Sequence, residues 1–354
     1  MLVEVIFGTA VAGIACAALA LRIFFGPGEE EHKERMDVPH LADEVALEKT
    51  FKREIEYIYR DGKRFYTQVW HPKDQSSPKG VVVHLHGMDG HSGRATAHFN
   101  ALLTHGWVAA AYDQHGFGRS SGRHGYVTSI ADLADDALAF LRHLKARFPD
   151  RPLFLAGGYV STLFASSLVD AFFGRSMGGL TAVYAAIKAQ SLTEPLVSGL
   201  ILQAPALHIH ADRRPPYVVE QIGRFLHALG PKLPLLAKVD PPPSADGTPL
   251  GVLPSQDPLF YHGRLQIGTA LAIVNGIEGI ASRLQDVTLP LLIQHGDADN
   301  VVPVDSSRHL YSVAASTDKT IKTYPQGGHL LWLEPAWISQ PFLNDMTAWL
   351  NARA

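Results

Sequence analysis

Residues 152–186 read PLFLAGGYVSTLFASSLVDAFFGRSMGGLTAVYAA, and the fold turns on how this stretch is parsed. It contains Gly174-Arg175-Ser176-Met177-Gly178, a G-x-S-x-G pattern that presents a serine on a sharp turn between a buried strand and a helix. The helix is in place, because GGLTAVYAAIKAQ (178–190) supplies the small residues that pack closely behind such a turn. The strand, PLFLAG (152–157), ends too early: the 17 residues 158–174 stand between it and the turn. Ten of the fifteen residues 159–173 are apolar or aromatic and only Asp170 is charged, a composition foreign to surface loops. Removing residues 158–174 restores a continuous LFLAG-RSMGG, as a retained intron or mis-assigned exon would leave it. Closing a loop of that length costs only about 2.5 kcal/mol in chain entropy, so the fold is expected to survive. The strained serine turn, which depends on its adjoining strand, is expected to be disturbed. Reading residues 168–173 as the strand instead would bury Asp170 without a partner, so PLFLAG is taken as the strand.

Working outward, REIEYIYRDGKRFYTQVW (53–70) alternates around Asp61-Gly62, a strong hairpin signal. Short apolar runs at 80–86, 107–112, 197–203 and 289–294, and a last strand at 320–324, alternate with helical spacing at 98–104, 130–148 and 179–189. Such alternation predicts an α/β fold: a mostly parallel central sheet with helices on both faces. Residues 206–286, between the sixth and seventh apolar strands, hold RRPP, PKLPLL and PPPSADGTP and are too long for a connection. They are read as a helical cap inserted after the sixth strand. The core then comprises residues 51–205, with the atypical insert 158–174, and residues 287–354.

The chain has 354 residues, 46% of them hydrophobic, enough for a large core. Thirty-one basic residues face 34 acidic ones, with no basic run, so nucleic acid is excluded as a partner. The single cysteine, Cys16, excludes internal disulfides and a cysteine-based zinc cluster. Residues 5–21 carry no charge, and with Arg22 snorkelling the apolar run reaches Phe25, about 31 Å as a helix. Residues 1–27 are therefore expected to be a membrane anchor, or else a signal segment, although Glu4 and the lack of Lys or Arg before the run fit a signal poorly. Arg22, Lys33 and Arg35 after the run would put the body in the cytoplasm. Residues 28–50 read as a polar linker.

Gly118-Arg119-Ser120-Ser121-Gly122 also fits G-x-S-x-G, but no long helix follows it, so context selects Ser176 as the nucleophile. A serine hydroxyl needs a base, and the base needs a carboxylate to fix its tautomer. His329 in PQGGH (325–329) follows the last strand; Asp297 and Asp299 in HGDAD (295–299) follow another. Either aspartate suits, and the order Ser, Asp, His is that of an α/β-hydrolase. His86-Gly87-Met88-Asp89-Gly90 ends a strand where glycines let a backbone N–H face the site, with the Met177 N–H as the partner donor for an oxyanion. A metal reading of His84, His86, Asp89 and His91, with His84 and His86 alternating onto one strand face, lacks a completing ligand cluster. No metal or cofactor is expected.

HGMDGHSGR (86–94), YDQHGFGRSSGRHGY (112–126), GRSMGGLTAVYAA (174–186), LILQAPA (200–206), LPLLIQHGDADNVVP (289–303) and QGGHLLWLEP (326–335) together resemble the monoacylglycerol lipase family of α/β-hydrolases, which includes plant-type caffeoyl shikimate esterases. The resemblance runs from about residue 51 to the C-terminus and departs from the family at 158–174. It implies Ser176, Asp299 and His329 as the catalytic set, oxyanion donors on Met88 and Met177, and His86 and Gly87 as shapers of the turn. It further implies a serine-dependent ester hydrolase for a monoacylglycerol-like or other hydrophobic acyl ester. The alternatives are a hydrolase fold disabled by the insert that only binds a ligand, and an esterase for small phenolic esters or peptides. In the cap, apolar residues between Tyr217 and Leu236 fall at near-helical spacing, suited to lining an acyl tunnel, meeting a membrane or packing on the core.

Overall fold

The computed structural model describes residues 2–158, 177–209, 216–234 and 256–354. Among them, β1 (Lys52–Arg60), β2 (Lys63–His71), β3 (Val81–Leu85), β4 (Val108–Tyr112), β5 (Leu153–Gly157), β6 (Gly199–Gln203), β7 (Leu291–Gly296) and β8 (Lys319–Tyr324) form one sheet. Its order is β1-β2-β4-β3-β5-β6-β7-β8. β2 runs antiparallel to β1 and β4, and every other pairing is parallel. The β1–β2 turn has Asp61 at φ 51° and Gly62 at φ 76°, the two left-handed positions that Asp-Gly supplies at low cost.

The apolar runs are continuous because both faces of the sheet are covered. Val81, Val83, Leu153, Leu155, Leu200, Leu202, Leu291 and Ile293 join one core with α4 (Ile130–Arg147), α5 (Met177–Gln190) and α7 (Ile267–Ala281). The alternate residues Val82, Phe154, Ala156, Ile201 and Leu292 join the other with α3 (Thr96–Thr104) and α9 (Ala336–Asn351). The period of two thus sorts each strand between two helical layers. The Ser129 side chain caps α4 by accepting the Asp132 N–H at 3.0 Å. α8 (Asp305–Val313) sets Leu310 into the first core.

β5 settles which segment is the strand beside the serine turn. It fills the slot between β3 and β6 with residues 153–157, the segment PLFLAG supplies. All of the insert 158–174 but Gly158, together with Ser176, lies outside the described residues. The chain on either side of them is close: a Cβ on Gly178 would lie 2.3 Å from the Gly158 carbonyl oxygen and 2.4 Å from that of Leu85. Only glycine lets the start of α5 approach the ends of β3 and β5 this closely.

The N-terminal expectations need correction. Residues 2–25 form α1 (Leu2–Phe25), but among the described residues no helix is long and apolar enough to cross a membrane. The end of α1 is instead committed to the protein beside α6 (Tyr217–Leu229). Arg22 Nη1 donates to Ala228 O at 3.1 Å, Lys232 N–H donates to Phe25 O at 3.0 Å, and Arg123 sits over the Phe25 ring. A spanning anchor therefore finds no support among the described residues, and neither does the argument from flanking charge for a cytoplasmic body. Residues 28–50, read as a polar linker, form a docked strap. Arg35 is buried and donates to Ser120 O at 2.6 Å and Gly122 O at 2.7 Å, while Glu31 pairs with Arg64 and Glu30 with Lys232.

The strap ends in α2 (Ala42–Glu48), whose Glu44 is fully buried, accepts the Leu41 N–H and pairs with Arg53 at 2.8 Å. Burial alone would push the Glu44 carboxyl up; the His40 and Leu41 hydrogen bonds and the charges of His91 and Arg53 outweigh it and hold it at about 2. Because the folded value lies below the unfolded one, this stabilisation is complete above about pH 5 and is lost as the pH falls through 2. Glu44→Gln should therefore cost about 3 kcal/mol at pH 7, a gap that closes towards pH 2. Denaturant unfolding of both proteins across that range measures it; a gap independent of pH would show that the carboxylate charge is not what stabilises the strap.

Of the cap region, α7 is buried, and its Gly276 carbonyl accepts from Tyr184 of α5 at 2.8 Å. α6 has no buried residue and leaves Tyr217, Val218, Val219, Ile222 and Phe225 exposed.

Candidate active site

Parallel strands bring their C-terminal ends to one edge of the sheet, where loops from different strands can converge. Register aligns Leu85 with Gly157 and Gly296 with Tyr324, so the loops after β3, β7 and β8 and the start of α5 share that edge. The histidine motif after β8 and the HGDAD segment after β7 meet: His329 Nδ1 lies 2.5 Å from Asp299 Oδ2. Asp299 is nearly fully buried. Its Oδ1 accepts the N–H groups of Val301 and Val302 at 2.8 and 2.9 Å, and its Oδ2 also receives His295 Nε2 at 3.0 Å. Burial would raise the Asp299 carboxyl, but the charges and hydrogen bonds of His329 and His295 overcome this and hold it well below the usual carboxylate range. His295 is a partner that sequence reasoning passed over, although it stands in the quoted motif. Its Nδ1 meets Ser307 Oγ at 2.7 Å, which locks the ring.

Asp297, the rival acid, is exposed and turns away. Its carboxylate accepts the Gln326 N–H at 2.7 Å and so braces the histidine loop from outside. Ser120, the rival serine, is buried: its hydroxyl donates to Asp113 O at 2.5 Å and accepts the Tyr66 N–H at 3.0 Å. Its pattern shapes a loop, in which Asp113 accepts the N–H groups of Ser92 and Arg119, both at 2.7 Å.

Met88 and Met177 are buried at the same edge, Met88 in the turn after β3 and Met177 as the first residue of α5. His86 holds the Met88 turn in shape. Its Nε2 accepts the Gln114 N–H at 2.9 Å, so its Nδ1 carries the proton and donates to Gly87 O at 2.7 Å. Burial pushes His86 down to about 4, in keeping with this neutral role. The expectation that His84 and His86 share a strand face fails because β3 ends at Leu85. The His84 ring lies 5.1 Å from that of His98 on the α3 side, whereas His86 packs edge-on against Phe117. His91 is tied elsewhere, its Nε2 2.9 Å from Asp257 of the cap.

A sheet of this order and direction, with an acid after β7, a histidine after β8 and a helix closely packed after β5, defines an α/β-hydrolase. The chain belongs to the family described as serine aminopeptidase, S33, which matches residues 76–336, and it is a serine hydrolase. It is 28% identical over 289 residues to a monoacylglycerol lipase of Mycolicibacterium smegmatis, covering 82% of this chain and 93% of that protein. It is 27% identical over 307 residues to a caffeoylshikimate esterase of Arabidopsis thaliana, with 84% and 85% covered. Among solved structures, a soluble variant of monoglyceride lipase from Saccharomyces cerevisiae superposes with a TM-score of 0.65 at 21% identity, covering 85% of this chain and 95% of that one. At that identity the superposition speaks for the fold.

Proposed function

We propose that this protein hydrolyses a monoacylglycerol-like or other hydrophobic acyl ester through an acyl-enzyme on Ser176. The observation that carries the reading is the buried Asp299–His329 pair at the strand-end edge where α5 begins. With the Asp299 carboxylate on Nδ1, the neutral His329 ring keeps its lone pair on Nε2, the nitrogen that takes the serine proton. Ser176 Oγ attacks the ester carbonyl as His329 accepts that proton, and the tetrahedral oxyanion is held by the Met88 and Met177 N–H groups, the latter strengthened by the N-terminal end of α5. His329 then returns the proton to the departing alcohol. Water repeats the sequence on the acyl group and releases the acid and the free serine.

Relatives named for monoacylglycerol and for caffeoylshikimate favour ester over peptide cleavage. The exposed apolar row on α6 favours long acyl chains, which it can meet before they enter the site. The test is hydrolysis of glycerol esters across acyl lengths, beside phenolic esters and aminoacyl amides, with fluorophosphonate labelling of Ser176. Labelling with turnover rising with acyl length supports the reading; preference for the phenolic esters replaces the substrate. Absence of both labelling and turnover favours the alternative of a ligand-binding hydrolase fold disabled by the insert.

A further inference from the structure

The turn that carries Met88 is not held by the core alone. The cap segment just before α7 reaches over and grips it at three points. Asp257 Oδ2 lies 2.9 Å from His91 Nε2 and receives Arg94 Nη1 at 2.8 Å, and the Tyr261 N–H donates to Asp89 O at 2.9 Å. Asp257 and His91 are buried, with no exposure of the Asp257 side chain, so water cannot substitute for these bonds. His91 Nδ1 accepts the Gly93 N–H, which places the ring proton on Nε2, facing the carboxylate. Asp257 Oδ1 accepts the Leu259 N–H at 3.0 Å, so the cap end of the grip is also fixed. Arg94 lies over the Phe260 ring, adding a third cap residue to the contact. Asp89, between Met88 and His91, is a non-glycine residue at φ 67°, a conformation that persists only where its surroundings impose it.

From this geometry we infer that Asp257 is a positioning residue: its carboxylate, through His91 and Arg94, fixes the turn of residues 88–91 and so aims the Met88 N–H. It touches no substrate. The inference rests on the reading of Met88 as an oxyanion donor, and it makes the hole complete only when this part of the cap is docked. Burial would push the Asp257 carboxyl up, but His91 and Arg94 together hold it below the usual range, so the grip stays charged across neutral pH. An oxyanion donor acts only within a few tenths of an ångström of its place, and losing one costs on the order of a hundredfold or more in turnover. A donor that wanders loses part of that, roughly ten- to a hundredfold.

The test compares the wild type with Asp257→Asn and Asp257→Ala in the full chain. Asn keeps the size and the Leu259 acceptor but loses the charge, so it decides the matter if Ala fails to fold. Kinetics on a soluble short-chain ester, per site titrated with fluorophosphonate, should show kcat down roughly ten- to a hundredfold with KM within about threefold, and the inhibition constant of an alkyl boronic acid raised by the same factor. Amide exchange should quicken selectively in residues 86–94. A variant whose kcat and boronate affinity stay within about twofold of wild type, or whose loss lies wholly in KM or in titratable sites, overturns the inference, as does unchanged exchange in residues 86–94. If the wild type neither turns over nor labels, the proposed activity fails by itself, and the exchange measurement still decides whether Asp257 holds the turn.

Discussion

Asp299→Asn should lower kcat by about 10⁴-fold per folded molecule, the scale on which a triad carboxylate orients its histidine. Every contact of Asp299 comes from a donor: Val301 and Val302 N–H on one oxygen, His295 and His329 on the other. An amide supplies only one oxygen. If it faces the backbone N–H groups, its NH₂ confronts two imidazole N–H groups and drives His329 towards the wrong tautomer or out of line. If it faces the histidines, the Val301–Val302 turn loses its acceptor. Asp297→Asn should change kcat less than threefold, because its one bond accepts from the Gln326 N–H and an amide oxygen serves as well. Ser176→Ala should remove about 10⁴- to 10⁶-fold of the turnover without unfolding the protein. Ser120→Ala should instead cost roughly 1–3 kcal/mol of stability, since it strips buried hydrogen bonds, and leave kcat nearly intact. Chemical denaturation paired with ester kinetics on purified variants distinguishes these outcomes. Equal kcat losses at 297 and 299, or at 120 and 176, would sink the assignment.

The parts of the molecule that were legible in the sequence are those encoded by local repetition. The strands showed as short apolar runs because each alternates between two buried faces, as Val81, Val82 and Val83 do. Asp61-Gly62 announced its turn through a conformation few other residues accept. Asp299 and His329 were legible as loop motifs at strand ends, although the composition of the two loops could not choose between Asp297 and Asp299. What escaped was long-range and polar. Nothing in the spacing of residues 91 and 257 tells that they share a proton-bearing contact, because a hydrogen bond across 166 positions has no period. The strap misled for the same reason: residues 28–50 read as a polar linker, yet within it Arg35 is buried against residues 120–122 and Glu44 against Gly93. The apolar length of residues 5–25 likewise gave no sign of the bonds that tie Arg22 and Phe25 to the α6 region.

The insert offers the second large effect. Deleting residues 158–174 should raise esterase activity per folded molecule by at least tenfold. In the shortened chain only Arg175 and Ser176 join Gly157 to Met177, three Cα–Cα steps that reach at most about 11 Å. The described ends lie within that reach: a Cβ on Gly157 would sit 2.4 Å from the Gly178 carbonyl oxygen and 2.4 Å from Ala182 Cβ. The strand and helix are thus already placed as a two-residue turn needs them, and β5 is already paired with β3 and β6. One adjustment is required. A side chain in the place of Gly158 meets Gln203 Oε1 at 2.7 Å, the far end of a flexible side chain that also contacts His98. The gain is positional, because a nucleophile displaced by about 1 Å loses on the order of a hundredfold in rate. In the 354-residue sequence, 17 residues stand between Gly157 and Arg175, which the shortened chain joins directly. The measurement is a parallel purification of both forms, with turnover and fluorophosphonate labelling rate per folded molecule. A faster full-length protein would mean that residues 158–174 belong to the working architecture, and that the apolar detour supports the serine rather than displacing it.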